Sequence, residues 1–161
     1  MRPSFDARIE GQTHSSPGGQ AVKFMIIRKA DKNTEASMMP STEQLAAMMK
    51  YNEELAKAGV FLDGVGLRAS SFGARVKISG PKPAVLDGPF AETKELIAGF
   101  TMIQVRSREE AIEWVKRWPV EDAPVELEIR QVFEPEDFGP ALTPDIQDQI
   151  DRLRDQISRK Q

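Results

Sequence analysis

Cysteine is absent from the chain. Disulfides, thiolate metal sites and cysteine nucleophiles are thereby excluded. Histidine is nearly absent. The single imidazole is His14, in a stretch of Gly, Ser, Pro and Gln that reads as solvated tail. The rest of the chain has no imidazole for acid–base chemistry or for a metal. No apolar run approaches the roughly 20 residues of a membrane-spanning helix, and residues 1–20 lack the apolar centre of a secretory signal. Net positive charge is lacking as well. The formal charge is −3, which argues against nucleic-acid binding through a general basic surface. A cytoplasmic protein is expected, with no cofactor, no metal, no membrane contact and no direct nucleic-acid contact.

What is present suits one domain. The chain has 161 residues, 40% hydrophobic and 29% charged, enough for one complete core and too few for two ordinary domains. Residues 1–20 read as a flexible N-terminal arm, 21–140 as an α/β domain and 141–161 as an amphipathic helix.

Near the midpoint lies Asp87-Gly88-Pro89-Phe90-Ala91-Glu92-Thr93-Lys94-Glu95. Asp-Gly is a turn dipeptide, because Gly tolerates positive φ and Asp bonds its own backbone. Pro89 fixes its own φ and restricts Gly88, and Phe90 offers an apolar anchor in the core. The segment is therefore expected to be a rigid loop. It reads either as a structural turn with a solvated charged rim or as a pocket wall.

The chain before the loop alternates strand and helix signals. Val22 to Arg28 is an apolar run suited to a buried strand, and Ala30 to Met39 is a polar connection. Ser41 and Gln44 fit a capping box, Leu45, Met48, Asn52 and Leu55 follow helical spacing, and Gly59 is placed as the C′ residue. Val60 to Leu67 reads as a strand in which Gly64 and Gly66 mark a bulge or a close approach. Arg68 to Gly73 turns the chain, and Ala74 to Ser79 alternates Val76 and Ile78 with Arg75 and Lys77. Ala84 to Leu86 is a short strand leading into the loop.

After the loop, Gly99 to Val105 is a strand. Ser107 and Glu110 suggest a second capping box, ahead of an apolar stripe of Ala111, Trp114, Val115 and Trp118 that Pro119 stops. Val125, Leu127 and Ile129 alternate with Glu126, Glu128 and Arg130, the clearest half-buried strand in the chain. Phe138 pins a linker. Thr143 and Pro144 then open a last helix, whose Ile146, Ile150, Leu153 and Ile157 form a narrow heptad seam. That helix is too short to stand alone, so it should dock on the body or on a partner subunit.

Set aside one extra element and the tail, and the order is βαββαβ, the ferredoxin-like α+β pattern. Two helices cover one face of such a sheet. The other face is either solvated or buried against a second copy, with Glu126, Glu128 and Arg130 as candidates for a polar interior.

Several stretches resemble a known family. They are Lys23-Phe24-Met25, Lys50-Tyr51-Asn52-Glu53-Glu54-Leu55 before Ala58-Gly59-Val60, Gly73-Ala74-Arg75-Val76, and the central loop with Gly99-Phe100. Glu128-Ile129-Arg130-Gln131-Val132-Phe133 and Asp137-Phe138-Gly139 complete the set. In this order they resemble a DGPF-type member of the YCII-related family. The resemblance implies a ferredoxin-like fold that pairs as a homodimer into a dimeric α/β barrel, in a family whose members include suspected enzymes. YCII-type proteins have a proposed catalytic His at the start of the first long helix with an Asp nearby; that position matches Gln44 here. DGPF-type relatives carry a His after the Gly-x-Gly-Leu segment, where this chain has Arg68. Such relatives are often encoded beside extracytoplasmic-function sigma factors.

With no imidazole in the domain, carboxylates are left as bases. Asp87 on the loop and Asp63 beside two glycines are the catalytic candidates. Arg68 and Arg75 are suited to bidentate recognition of a small organic anion, and Glu126, Glu128 and Arg130 are further candidates for substrate contact. Each has a plainer role: Asp87 capping its turn, Asp63 pairing with Arg68 or Lys77, the arginines as surface residues. Two functions follow from different classes. One is a small dimeric enzyme or binder acting on an organic anion in the barrel cleft. The other is a non-catalytic regulatory or interaction module linked to transcription through a sigma factor.

Overall fold

The computed structural model describes residues 20–160; His14 and nearly all of the expected N-terminal arm lie outside the described residues. The elements are β1 (Val22–Lys29), α1 (Lys32–Glu35), α2 (Thr42–Lys57), β2 (Phe61–Gly66), β3 (Ala74–Lys77), β4 (Ala84–Asp87), β5 (Ile97–Val105), α3 (Arg108–Val115), β6 (Leu127–Gln131) and α4 (Pro144–Ser158). Short 3-10 turns punctuate the loops, among them Ser70–Phe72 and Thr93–Glu95.

Four strands form one antiparallel sheet in the order β2-β5-β1-β6, while β3 and β4 pair with each other as a separate hairpin. The extra element of the βαββαβ series is therefore this hairpin, inserted between β2 and β5. The result is an α+β fold compatible with the ferredoxin-like pattern. Alternation along the sheet sorts its two faces. Phe24 and Ile26 of β1, Thr101, Ile103 and Val105 of β5 point toward the helices and are buried. Tyr51 and Leu55 of α2, Val60 just ahead of β2, and Ala111 of α3 close that core from above.

The caps explain where the helices start. Ser41 Oγ accepts from the Gln44 amide at 3.2 Å, and Gln44 Oε1 accepts from the Ser41 amide at 2.8 Å, a complete capping box. Gly59 ends the α2 turn at φ +72°, the left-handed geometry that a Cβ disfavours. At α3 the box is only half made. Ser107 Oγ accepts from the Glu110 amide, but the Glu110 carboxylate instead takes the Arg106 amide and Nε, at 2.8 and 3.0 Å. A charged guanidinium outcompetes the reciprocal amide for that carboxylate.

The inward stripe of α2 differs from the spacing read in the sequence. Met48, Tyr51 and Leu55 face the core, while Leu45 and Met49 stand on the flank at 54% and 58% exposure. Tyr51 tolerates burial because its hydroxyl donates to the Trp114 carbonyl at 3.0 Å and its ring meets Trp118 edge-on at 5.4 Å. The expected polar connection after β1 contains α1, whose Asp31 carboxylate accepts from the amides of Asn33 and Thr34. Phe138 pins nothing in the core: it pairs with Phe133 at 5.2 Å, and both rings are exposed. No helix among the described residues is long and apolar enough to cross a membrane.

Candidate functional site

Opposite the helices the sheet presents a bare face. In the antiparallel register Asp63, Met102, Met25 and Arg130 lie side by side across β2, β5, β1 and β6. The next row is Val65, Phe100, Ile27 and Glu128. Residues directly opposed in an antiparallel ladder share a face. The middle of this face is therefore apolar and its ends are ionisable. Arg130 bonds Glu128 at 3.1 Å, and the Lys29 ammonium lies 3.8 Å from the other Glu128 oxygen. Asp63 is on the far edge, three strand spacings or roughly 14 Å from that trio. Its carboxylate accepts from the Gly64 amide at 2.8 Å, within the irregular register that β2 shows between Phe61 and Asp63.

The central loop sits on the turn that follows β2. Ser70 is the joint: its hydroxyl donates to Glu35 at 2.5 Å and accepts from the Phe90 amide at 3.0 Å. The Glu35 carboxylate also takes the Ser70 amide at 3.1 Å. α1, the 3-10 turn and the loop are thus tied through one side chain. The Gly88 amide adds a bond to the Gly73 carbonyl at 3.0 Å. Glu35 and Ser70 are the residues that sequence reading missed; both sit in segments read as plain connections.

Two arginines flank this joint. The Arg68 guanidinium lies 3.4 Å from the centre of the Phe72 ring, and that of Arg75 lies 4.0 Å from the centre of Phe90. Phe90 is half-buried beneath Arg75 rather than anchored in the core. Among the described residues neither arginine forms an ion pair. Stacking holds each guanidinium in place while leaving its donors free. Asp87 is exposed at the end of β4, paired in register with Ala74. Glu126 lies elsewhere, on the rim of an open depression of about 510 Å³ that also meets Lys29, Asp31 and Lys94. The predicted residues therefore fall into two groups. Arg75 and Asp87 belong to the hairpin, and Arg68 to the turn that leads into it from β2. Glu126, Glu128 and Arg130 line the β6 edge, with Asp63 apart.

Other ionised groups are structural. Arg28 forks onto Asp122 at 2.8 and 2.7 Å, and Trp118 Nε1 donates to the same carboxylate at 2.9 Å. Hydrogen bonding to Asp122 holds the Arg28 guanidinium above its ordinary pKa, against the opposing effect of burial. Burial alone would raise Asp31, yet the Thr34 amide and the neighbouring Arg28 keep it below the usual carboxylate range. Gln44, at the position where the resemblance places a histidine, uses its carbonyl in the α2 cap and donates from Nε2 to the Glu121 carbonyl at 2.9 Å. It acts there as a brace. Among the described residues, no group of three or more Asp and Glu side chains is arranged to hold a metal ion.

The architecture and this face define a small α+β domain with a split-βαβ sheet, one side packed and the other open. A model of the YCII-related domain matches residues 22–135, and the chain belongs to that family. No curated protein matches the chain.

Proposed function

We propose that this YCII-related protein is of the DGPF type, works as a homodimer whose open sheet faces pair into an α/β barrel, and binds a small organic anion in the resulting cleft. The observation that carries the anion is the pair Arg68 and Arg75, each stacked on a ring and, among the described residues, without a carboxylate partner. A guanidinium fixed over an aromatic face loses little further freedom on meeting a carboxylate or phosphate. Asp87 and Asp63 are the carboxylates proposed to take a proton from the bound molecule, with Glu126, Glu128 and Arg130 as polar contacts in the paired cleft. In the single chain Asp87, Asp63 and Glu126 are exposed and Glu128 is half-buried. A covering second copy supplies the exclusion of water that a carboxylate base needs near neutral pH.

A thermal-shift screen of the purified protein against small organic acids, phenols and phosphates tests this reading. A ligand that binds only the folded state raises the melting temperature. The expected result is a shift that Arg68→Ala, Arg75→Ala and Asp87→Asn each diminish. Absence of any shift across the panel, with the protein folded, overturns it.

The competing reading is a non-catalytic regulatory module that meets a sigma factor. It is supported by the absence of imidazole from every residue after His14 and by the exposure of α4. It predicts an empty ligand screen and co-purification with such a factor that is lost on deleting residues 141–161.

A further inference from the structure

α1 is one turn long, Lys32–Glu35, and buries none of its residues. Among the described residues, no strand or helix packs extensively against it. A single turn fixes several residues for one or two hydrogen bonds and does not persist by itself in water. This turn is instead clamped at both ends by side chains.

At its start, Asp31 Oδ1 accepts from the amides of Asn33 and Thr34 at 2.9 Å each, and Thr34 Oγ1 accepts from the Asp31 amide at 2.8 Å. The second carboxylate oxygen of Asp31 accepts from Arg28 Nη2 at 3.3 Å. Arg28 is itself forked onto Asp122, which also takes the Trp118 indole, and Trp118 packs on the core. The start of α1 is therefore grounded in β1 and in the 3-10 turn Val120–Asp122 that follows α3.

At its end, the Glu35 carboxylate takes both the amide and the hydroxyl of Ser70, and Ser70 Oγ takes the Phe90 amide. A serine hydroxyl rotates to suit its partners. Here Glu35 takes the proton, which leaves a lone pair facing the Phe90 amide. The Phe90 ring in turn carries the Arg75 guanidinium. Hydrogen bonds and a stacked ring thus run without a break from Asp122 to Arg75, and the one-turn helix is the link in the middle. A segment that only joined β1 to α2 would function as well with these carboxylates in water. In α1 both oxygens of Asp31 and both oxygens of Glu35 are engaged instead.

We propose that α1 is a strut that sets the place of the central loop, with Asp31 as a positioning residue that acts on Arg75 through Glu35, Ser70 and Phe90. The use of that placement rests on the anion-binding reading; the placement itself does not.

Hydrogen exchange and NMR of the full chain test the strut without a ligand. Asp31→Ala removes the cap and should accelerate exchange of the Phe90 amide roughly 2- to 30-fold, the range for a lost N-cap. The amide of Ile103, a fully buried residue, should change little. The δ-methylene protons of Arg75, shielded by the Phe90 ring, should move toward unshielded shifts. Asp31→Asn keeps a capping oxygen and should keep exchange slow. The decisive background is Ser70→Ala. There the strut is already disconnected, so adding Asp31→Ala should accelerate Phe90 exchange no further. Equal acceleration in both backgrounds shows two independent effects and overturns the proposal. So does an unchanged Phe90 amide, an unmoved Arg75 resonance, or acceleration of Ile103 to the same degree. Should Asp31→Ala fail to fold, Thr34→Ala, which removes only the reciprocal bond, takes its place in the cycle. Failure of the cycle leaves the anion reading standing, and an empty ligand screen leaves the strut standing.

Discussion

A Cβ built on Gly88 would lie 1.8 Å from the carbonyl oxygen of Ser70 and 2.6 Å from its carbonyl carbon. The obstacle is backbone, so it cannot swing aside as a side chain would. The sequence suggested that glycine serves here for its tolerance of positive φ. Gly88 is not among the residues with positive φ, and its need is for close approach instead. Gly88→Ala is expected to lift the central loop off the turn that supports it and to cost about 1–3 kcal/mol, the usual range for forced overpacking. Gly66→Ala is the control, since nothing lies within 4 Å of a Cβ there. Thermal denaturation of both variants decides the matter; equal melting temperatures would show that the close approach carries no weight.

Ser70 supplies the only side-chain contact that holds the Phe90 amide among the described residues. Ser70→Ala removes that acceptor and also leaves Glu35 without its hydroxyl donor. A destabilisation of about 1–3 kcal/mol is expected, the range for a hydrogen bond to a charged group. The more telling readout is local. Hydrogen exchange at the Phe90 amide should accelerate much more than exchange at the buried Ile103 amide. Uniform acceleration at both sites would point to global loosening and count against a local joint.

Tyr51 is the single tyrosine of the chain, so its titration is read without overlap from any other. Desolvation by burial pushes its hydroxyl up to about 12, with Arg117 pulling down and Glu54 pushing up as smaller influences. In the unfolded chain a tyrosine titrates near 10. A group whose folded pKa is raised stabilises the fold fully below the unfolded value. That contribution is lost as pH climbs through the interval toward the folded one. Ultraviolet absorbance should therefore show tyrosinate appearing well above pH 10 and together with loss of circular dichroism. A midpoint near 10 in a still-folded protein would contradict the buried hydroxyl bonded to Trp114.

These residues also mark how far the sequence carries. The alternation of Leu127, Glu128, Ile129 and Arg130 revealed which side of β6 faces the core, because period two is a local signal. Ser41 and Gln44 disclosed the start of α2 for the same reason. The rotation of α2 was not local. Leu45 and Tyr51 are both plausible inward residues by spacing, and the choice is made by Trp114 and Trp118, more than 60 positions away. Glu35 was hidden in a polar connection because its role arises only when the chain brings Ser70 to it. Arg68 and Arg75 were legible as cations but not as stacked ones, since Phe72 and Phe90 become ring platforms only in the folded loop.

Phe100 occupies the middle of the open face, flanked in register by Ile27 on β1 and Val65 on β2. If second copies pair through this face, two-fold symmetry brings each Phe100 into the interface, and one substitution acts twice. Burying a phenylalanine contributes about 1.5–3 kcal/mol, so the pair contributes about 3–6 kcal/mol, or roughly two to four orders of magnitude in dimer affinity. Phe100→Glu should do at least this much harm, because it would also bury two unpaired carboxylates near the axis. The helical core lies on the opposite side of β5, where Thr101 and Ile103 point, so the monomer should keep its secondary structure. Light scattering at micromolar concentration is expected to give half the wild-type mass, with circular dichroism preserved. Ile78→Glu, beyond the end of β3 and 78% exposed, should leave the mass alone. If Phe100→Glu leaves a dimeric mass unchanged, the copies meet elsewhere, and the apolar rows of Met25, Ile27 and Met102 need another cover.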